Sequence, residues 1–288
     1  MAVADPIAIG AAVRRPPRVR RRMRMGAWEL GGLVVLVLVS LIAIFAPLLA
    51  PHSTTQPVAA GPFASPGHGA LLGTDDLGRD LLSRTLYGIR STWLSALAVV
   101  GSGIVIGTII GTVAAMAGGF VDTVLMRFTD LFLALPGPVL AIVAVVALGP
   151  SLLHTLIAVA AVWWPWYARI VRGEVRALLA RPHVDAARLA GSGRFTLARR
   201  HLLPGAVPSV LVTASLDIGN LVLTLSGLSF LGLGAPPPTP ELGAMTANGF
   251  TYLFGQPWVA LVPACAVFLL AFAANLAGDG VRDLLDAV

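Results

Sequence analysis

The chain has 288 residues, is 57% hydrophobic and 12% charged, and carries a formal net charge of +6 with a mean hydropathy of +0.85. Soluble domains carry about 25% charged residues, so half that value together with apolar runs of near-bilayer length excludes an ordinary soluble domain and predicts an integral membrane protein. All 20 basic residues are arginine and there is one cysteine, which excludes a lysine-dependent P-loop ATPase, Schiff-base catalysis, an intrachain disulfide and a cysteine-cluster metal site.

Residues 1–25 hold Arg14, Arg15, Arg18, Arg20, Arg21, Arg22 and Arg24 with Pro16 and Pro17, and no apolar period runs through them. They read as a disordered basic tail flanking a membrane helix rather than a nucleic-acid arm. The apolar run from Leu30 to Ala50 exceeds the roughly 7–15 residues of a signal-peptide core, so residues 26–50 are expected to stay as a first transmembrane helix. Hydropathy places six spans near 28–50, 93–117, 124–148, 152–171, 208–234 and 257–278. Residues 51–92 form a long connection ending in LGRDLLSRTLYGIR, where Leu77, Leu81, Leu82, Leu86 and Ile89 recur at helical spacing opposite Arg79, Asp80, Arg84 and Arg90. That pattern predicts an amphipathic helix lying on the membrane surface. Residues 93–288 form the membrane core.

Arginine placement orients the chain. The tail holds seven, and the flank and connection between the fourth and fifth spans hold eight, from Arg169 to Arg200. With six spans both regions lie on one side, which the positive-inside rule makes cytoplasmic, as are both termini. The 51–92 connection then faces outward.

Within the spans, Gly103, Gly107 and Gly111 share one helix face and admit a close neighbour, either within the chain or in a second subunit. Asp130 is expected to pair structurally, with Arg127 as the nearby candidate, and Pro136-Gly137-Pro138 marks a helix break. Asp217 lies deeper; it either faces a polar path or bonds a neighbouring helix. Trp163, Trp164, Trp166 and Tyr167 read as an interfacial belt around a Pro165 kink, and Cys265 as a small buried hydrophobe.

The block 173–204 is too patterned for a slack loop. Pro182 suits a first helical turn, Asp185 suits the helix dipole, and Gly191 and Gly193 stop a short helix. A second short helix follows from Arg194 to Leu203, ended by Pro204. The result is a compact knob, either built to enter a partner's groove or a plain positive-inside loop.

This block resembles the E-A-A-x3-G-x9-I-x-L-P loop of ABC importer permeases. Asp185, Ala186, Ala187, Gly191, His201, Leu203 and Pro204 stand at that spacing, with Asp for Glu and His for Ile. FAPLLAPH (45–52), LGTDDLGRDLLSR (72–84), GTVAAMAGGFVD (111–122), LMRFTDLFLALPG (125–137), YARIVRGEV (167–175), LSFLGLGAPPPTPELG (228–243) and NLAGDGVRDLLD (275–286) are similar to the C-type permeases of dipeptide, oligopeptide and nickel importers. Leu225 stands where members often carry a glutamate. The resemblance implies an all-α integral membrane protein of the type I ABC importer permease fold, forming half of a pore for di- or oligopeptides, nickel or another small solute. It further implies a second homologous permease, two ATPase subunits or domains that hold ATP and Mg and engage residues 185–204, an extracytoplasmic solute-binding protein, and no cofactor, metal or catalytic residue on this chain. Ser229 and Phe230 join Asp217 and the three glycines as candidate pore or packing residues; nucleic acid is not an expected partner. An ATP-independent secondary transporter is the rival reading.

Overall fold

The computed structural model describes residues 27–286 except 68; the basic tail lies outside the described residues. Every regular element among them is helical: α1 (Ala27–Leu49), α2 (Leu81–Ala117), α3 (Gly119–Leu133), α4 (Gly137–Leu148), α5 (Leu152–Leu179), α6 (Pro182–Leu189), α7 (Arg194–Leu197), α8 (Leu203–Phe230), α9 (Leu242–Phe250) and α10 (Pro257–Asp286). Four stretches, Gly31–Leu49, Leu81–Ala117, Arg194–Phe230 and Pro257–Asp283, are individually long and apolar enough to cross a membrane. The α3–α4 pair makes a fifth if a span bent by 84° is counted as one. Pro136 explains the bend: it has no N–H to donate, and its ring disfavours helix in the residue before it. α5 has 28 residues, but its aromatic cluster and the charged run from Arg169 to Arg176 lower its apolarity.

The separate surface helix expected before residue 93 is instead the first third of α2. Asp80 caps that helix, its Oδ2 accepting from Ser83 N at 2.9 Å. Much of the polar side of the amphipathic pattern is buried rather than wetted: Asp80 and Arg84 are at most 5% exposed, while Arg79 and Arg90 are half-buried. Partners distant in sequence make this possible. Arg84 Nη1 donates to Thr54 O at 2.6 Å and Pro238 O at 3.3 Å, and its Nε lies 3.4 Å from Asp75 Oδ2, which also accepts from Arg79 Nε at 2.7 Å. The cluster staples the 50–80 connection to α2 and to the 231–241 strap.

At the end of that strap, buried Glu241 caps α9 by accepting from Ala244 N at 2.9 Å, and accepts from Thr92 Oγ1 of α2 at 3.3 Å. Burial raises its pKa above the ordinary 4.5, outweighing the hydrogen bonds that favour the charge. A raised carboxyl is penalised in the folded state once ionised, so stability falls as the pH climbs from about 4.5 through the folded-state value. Glu241→Gln is expected to flatten this decline, as read by thermal midpoints of the detergent-solubilised protein across pH. An unchanged slope would remove Glu241 as its source.

α5 packs along α2, α8 along α10, and α1 along α10. The core joins Ala96 and Val99 of α2, Tyr167, Val171 and Val175 of α5, Leu221 and Leu225 of α8, and Leu270 and Ala274 of α10. A Cβ on Gly107 would overlap Tyr167 Cβ and sit 2.8 Å from Ala168 N; one on Gly111 would sit 2.5 Å from Ala168 O. The glycine face therefore meets α5 of the same chain, resolving the two alternatives toward intrachain packing.

Several side chains sit differently from the sequence-based expectation. Asp130 pairs with Arg169 of α5 at 2.5 Å, not with Arg127, because α5 lies across the face that carries it. Asp122, buried, receives Arg172 Nε and Nη2 at 2.5 and 2.7 Å and Arg176 Nη2 at 2.5 Å. Of the expected aromatic belt, Trp166 is exposed, but Trp164 and Tyr167 turn into the core, with Trp164 against Phe128 and Phe132. Cys265 lies exposed on α10 rather than buried, on a face the chain itself leaves uncovered.

Candidate functional site

The 182–204 block folds as a knob at one end of the bundle. Pro182 occupies the first turn of α6, where its missing N–H costs nothing, and Asp185 lies in that turn with its carboxylate 3.2 Å from Arg188 Nη1. Beyond the helix, Gly191 adopts φ 83°, its N–H donates to Arg188 O at 2.9 Å, and Ser192 N donates to Ala187 O at 3.1 Å. These two bonds form a Schellman closure, which needs a left-handed residue at the glycine position.

Pro204 does not end the following helix as expected. α7 passes through a π-helical turn, Ala198–Leu202, straight into α8, and Leu203 N donates to Ala198 O, five residues back. The wider turn absorbs the irregularity that a proline brings, so Arg194–Phe230 runs as one rod of 37 residues, about 55 Å at 1.5 Å per residue.

Three buried side chains, Val184, Leu197 and Leu202, root the knob in the core beside Val175 and Leu178. Against that root it presents Asp185, Ala186, Leu189, Gly191 and Phe195 outward, with Leu189 90% and Phe195 78% exposed. Ala187 and Leu203 are half-buried, and Pro204 is exposed. His201 is half-buried, its ring centroid 6.3 Å from that of His183. The motif residues thus gather on one small body, with two bare hydrophobes that the spacing argument had not singled out. Their signal was present as apolar residues beside arginines, at positions a short helix cannot bury alone.

The remaining candidates lie elsewhere. Asp217 sits midway along α8, half-buried, and accepts from Trp163 Nε1 of α5 at 3.1 Å. Ser229 is buried near the far end of α8 and Phe230 stands exposed, edge-on to Phe250 of α9. With Pro236, Ala244 and Asn248 these two line a cleft of about 420 Å³. One rod therefore carries the knob at one end, an acid in the middle and a cleft at the other.

A bundle of membrane-length helices with a bent helix pair, and a rooted knob continuous with one of its rods, is the architecture of a polytopic membrane protein. The sequence matches the family described as the binding-protein-dependent transport system inner membrane component over residues 103–287, and that described as the N-terminal TM domain of oligopeptide transport permease C over residues 18–66. The chain belongs to this family of inner-membrane permease components. It is 38% identical to the probable D,D-dipeptide transport system permease protein of Escherichia coli, covering 96% of this chain and 95% of that one. It is 40% identical to the di/tripeptide transport system permease protein of Pseudomonas aeruginosa, covering 89% and 87%. It is 38% identical to the glutathione transport system permease protein of Pectobacterium atrosepticum, covering 98% and 94%. In fold it is similar to a chain of the MetNI methionine ABC transporter solved in inward-facing conformations, with a TM-score of 0.56, 21% identity, and coverage of 71% of this chain and 97% of that one. The fold is thus that of the type I ABC importer permeases.

Proposed function

We propose that the chain forms one half of the translocation pore of an ATP-driven peptide importer, the other half being a second, homologous permease. Peptide cargo follows from the relatives, whose printed names span D,D-dipeptides, di- and tripeptides and glutathione. Two ATPase subunits or domains holding ATP and Mg would sit beneath the knob, and an extracytoplasmic binding protein would deliver cargo to the opposite end. In this reading α1, α2, the bent α3–α4 pair, α5, α8 and α10 are the six transmembrane elements. The tail, the knob and the C-terminus lie in the cytoplasm, and residues 51–80 lie outside. Packing of α5 along the α2 glycine face supports its inclusion despite its lower apolarity.

The observation that carries the proposal is the knob: rooted by Val184, Leu197 and Leu202, bare at Leu189 and Phe195, and continuous with α8. An ATPase dimer that closes on ATP would push this body, and the rod would carry the displacement toward the cleft, switching the pore between inward- and outward-facing states. Asp185, Ala186, Ala187, Gly191, His201, Leu203 and Pro204 are its shape-giving residues. Asp185 acts through the first turn of α6 more than through reach, because Arg188 already holds its carboxylate.

Solubilised gently from its native membrane, the chain is expected to bring a second permease and P-loop ATPases with it. Leu189→Asp, at a position 90% exposed, is expected to leave the fold intact and weaken ATPase association about 10- to 100-fold, the worth of one buried leucine. Unchanged ATPase titration would take the knob out of the interface. Uptake that collapses with an ion gradient rather than with ATP would support the secondary-transporter reading instead.

A further inference from the structure

Along α8, Ser209, Thr213, Asp217, Asn220 and Thr224 recur at spacings of four, four, three and four residues, which places all five on one stripe of the helix. The buried side of the same helix is apolar: Val210, Ala214, Leu221, Leu225 and Leu228 face the core. The stripe is not folded into that core. Thr213, Asp217 and Thr224 are half-buried, Asn220 is exposed, and so is Gly227, three residues beyond Thr224, where an added Cβ would meet nothing within 4 Å.

A polar stripe at membrane depth is costly against lipid. A carboxylate at the centre of a spanning helix is rare unless it faces protein or a water-filled path. Asp217 receives Trp163 Nε1 at 3.1 Å, has the Tyr167 hydroxyl and Asn220 amide as further neutral neighbours, and forms no ion pair among the described residues. These contacts are intramolecular and offset part of the cost. What remains is a negative charge with an open side, on a face lined by hydroxyl and amide groups that water can solvate.

Its surroundings narrow what it would bind. Trp163 of α5, half-buried, brings one aromatic ring to the carboxylate, while Tyr167, one turn on, is fully buried behind it; the stripe itself carries no cationic side chain. An anionic oxygen beside an aromatic ring suits an ammonium group, which can gain from both. No group of three or more His, Cys, Asp or Glu side chains that could hold a metal ion gathers there among the described residues.

We infer that the α8 stripe is a water-lined wall of the pore and that Asp217 is a transit site for the ammonium group of the cargo. This rests on the permease reading above and adds the recognised chemistry: a cargo with a free amino group, drawn along the pore wall by an acid midway.

The test uses the full chain in its native membrane, with Cys265→Ala as background and Asn220→Cys as reporter. Water-soluble thiol reagents of opposite charge, a trimethylammonium and a sulfonate methanethiosulfonate, are compared at that cysteine. Their rate ratio, normalised to a free thiol in solution, is expected to favour the cation by roughly tenfold, as in a cleft lined by one sign of charge. Asp217→Asn should bring the ratio close to that of the free thiol, and Asp217→Glu should restore the preference. In uptake assays Asp217→Asn should slow entry of a free-amino dipeptide about tenfold at saturating cargo, with Glu recovering most of it. A reporter that reacts with neither reagent, while a cysteine at exposed Leu71 does, overturns the water-lined wall. A ratio indifferent to Asp217, or wild-type uptake by Asp217→Asn, overturns the transit site. The labelling needs no ATP. A charge-selective stripe in a chain whose uptake ignores ATP would therefore sink the importer reading and leave this one standing.

Discussion

Gly107→Leu is expected to yield a chain that inserts but does not assemble its bundle. The backbones of α2 and α5 touch at this point: a Cβ alone would overlap Tyr167 Cβ and lie 2.8 Å from Ala168 N and 2.9 Å from Trp164 O. Backbone atoms within a helix cannot step aside, so the helices must separate, and the contact that buries Tyr167, Val171 and Val175 opens. Even Gly107→Ala and Gly111→Ala should cost about 1–3 kcal/mol from overpacking. That exceeds the gain of about 1 kcal/mol that alanine brings to a helix interior. Gly103→Ala meets the Tyr167 ring at 3.2 Å and no backbone atom closer than 3.9 Å, so it should be milder. Gly101→Ala has nothing within 4 Å and should be neutral or stabilising. Thermal aggregation midpoints of the four alanine variants in detergent decide the matter. Equal behaviour at positions 101 and 107 would mean that α2 and α5 are not in contact.

The glycine face shows what a sequence makes legible. Three glycines four residues apart announce a close approach without naming the partner helix, because the partner lies about 60 residues away. The same limit explains the other differences. A hydropathy profile marks where α2 and α8 are apolar, but Arg84 is buried only because Thr54 and Pro238 offer it carbonyls across the fold. Read locally, Asp80 and Arg84 look like the wet side of a surface helix. Proximity in sequence makes Arg127 the nearby candidate for Asp130, whereas the fold supplies Arg169. Proline ordinarily stops a helix, but at Pro204 a π-helical turn lets the helix continue. The knob itself was readable residue by residue, since a first-turn proline, an early aspartate and a left-handed glycine act within one or two turns. Leu189 and Phe195 carry a weaker signal, apolar residues among arginines, and only the fold shows that they stay bare. Glu241 was passed over because only burial makes it unusual.

The knob's dependence on local geometry gives the second large effect. Gly191→Pro is expected to leave the chain inserted and its bundle stable, yet to abolish stimulation of the ATPases and ATP-driven uptake together. Proline fixes φ near −65°, whereas Gly191 stands at +83°, so the turn cannot form. The substitution also removes the N–H that bonds Arg188 O, and it disfavours the ψ of 6° that Ala190 holds before it, since a residue preceding proline prefers an extended ψ. α6 would lose its closure and present Asp185, Leu189 and Phe195 in the wrong relation, while Val184, Leu197 and Leu202 remain free to stay in the core. Gly191→Ala tests the same point more gently. An L-residue in the left-handed region costs about 1–2 kcal/mol, enough to loosen the knob without destroying it, and should lower uptake partially. Gly193, two residues on, has φ −66° and no neighbour that a Cβ would strike, so Gly193→Ala should couple normally. The measurement is ATPase activity and peptide uptake of the reconstituted assembly, with thermal stability as the control. Uptake by Gly191→Pro at the level of Gly193→Ala would show that α6 transmits nothing, and the permease would have to be driven through some other contact.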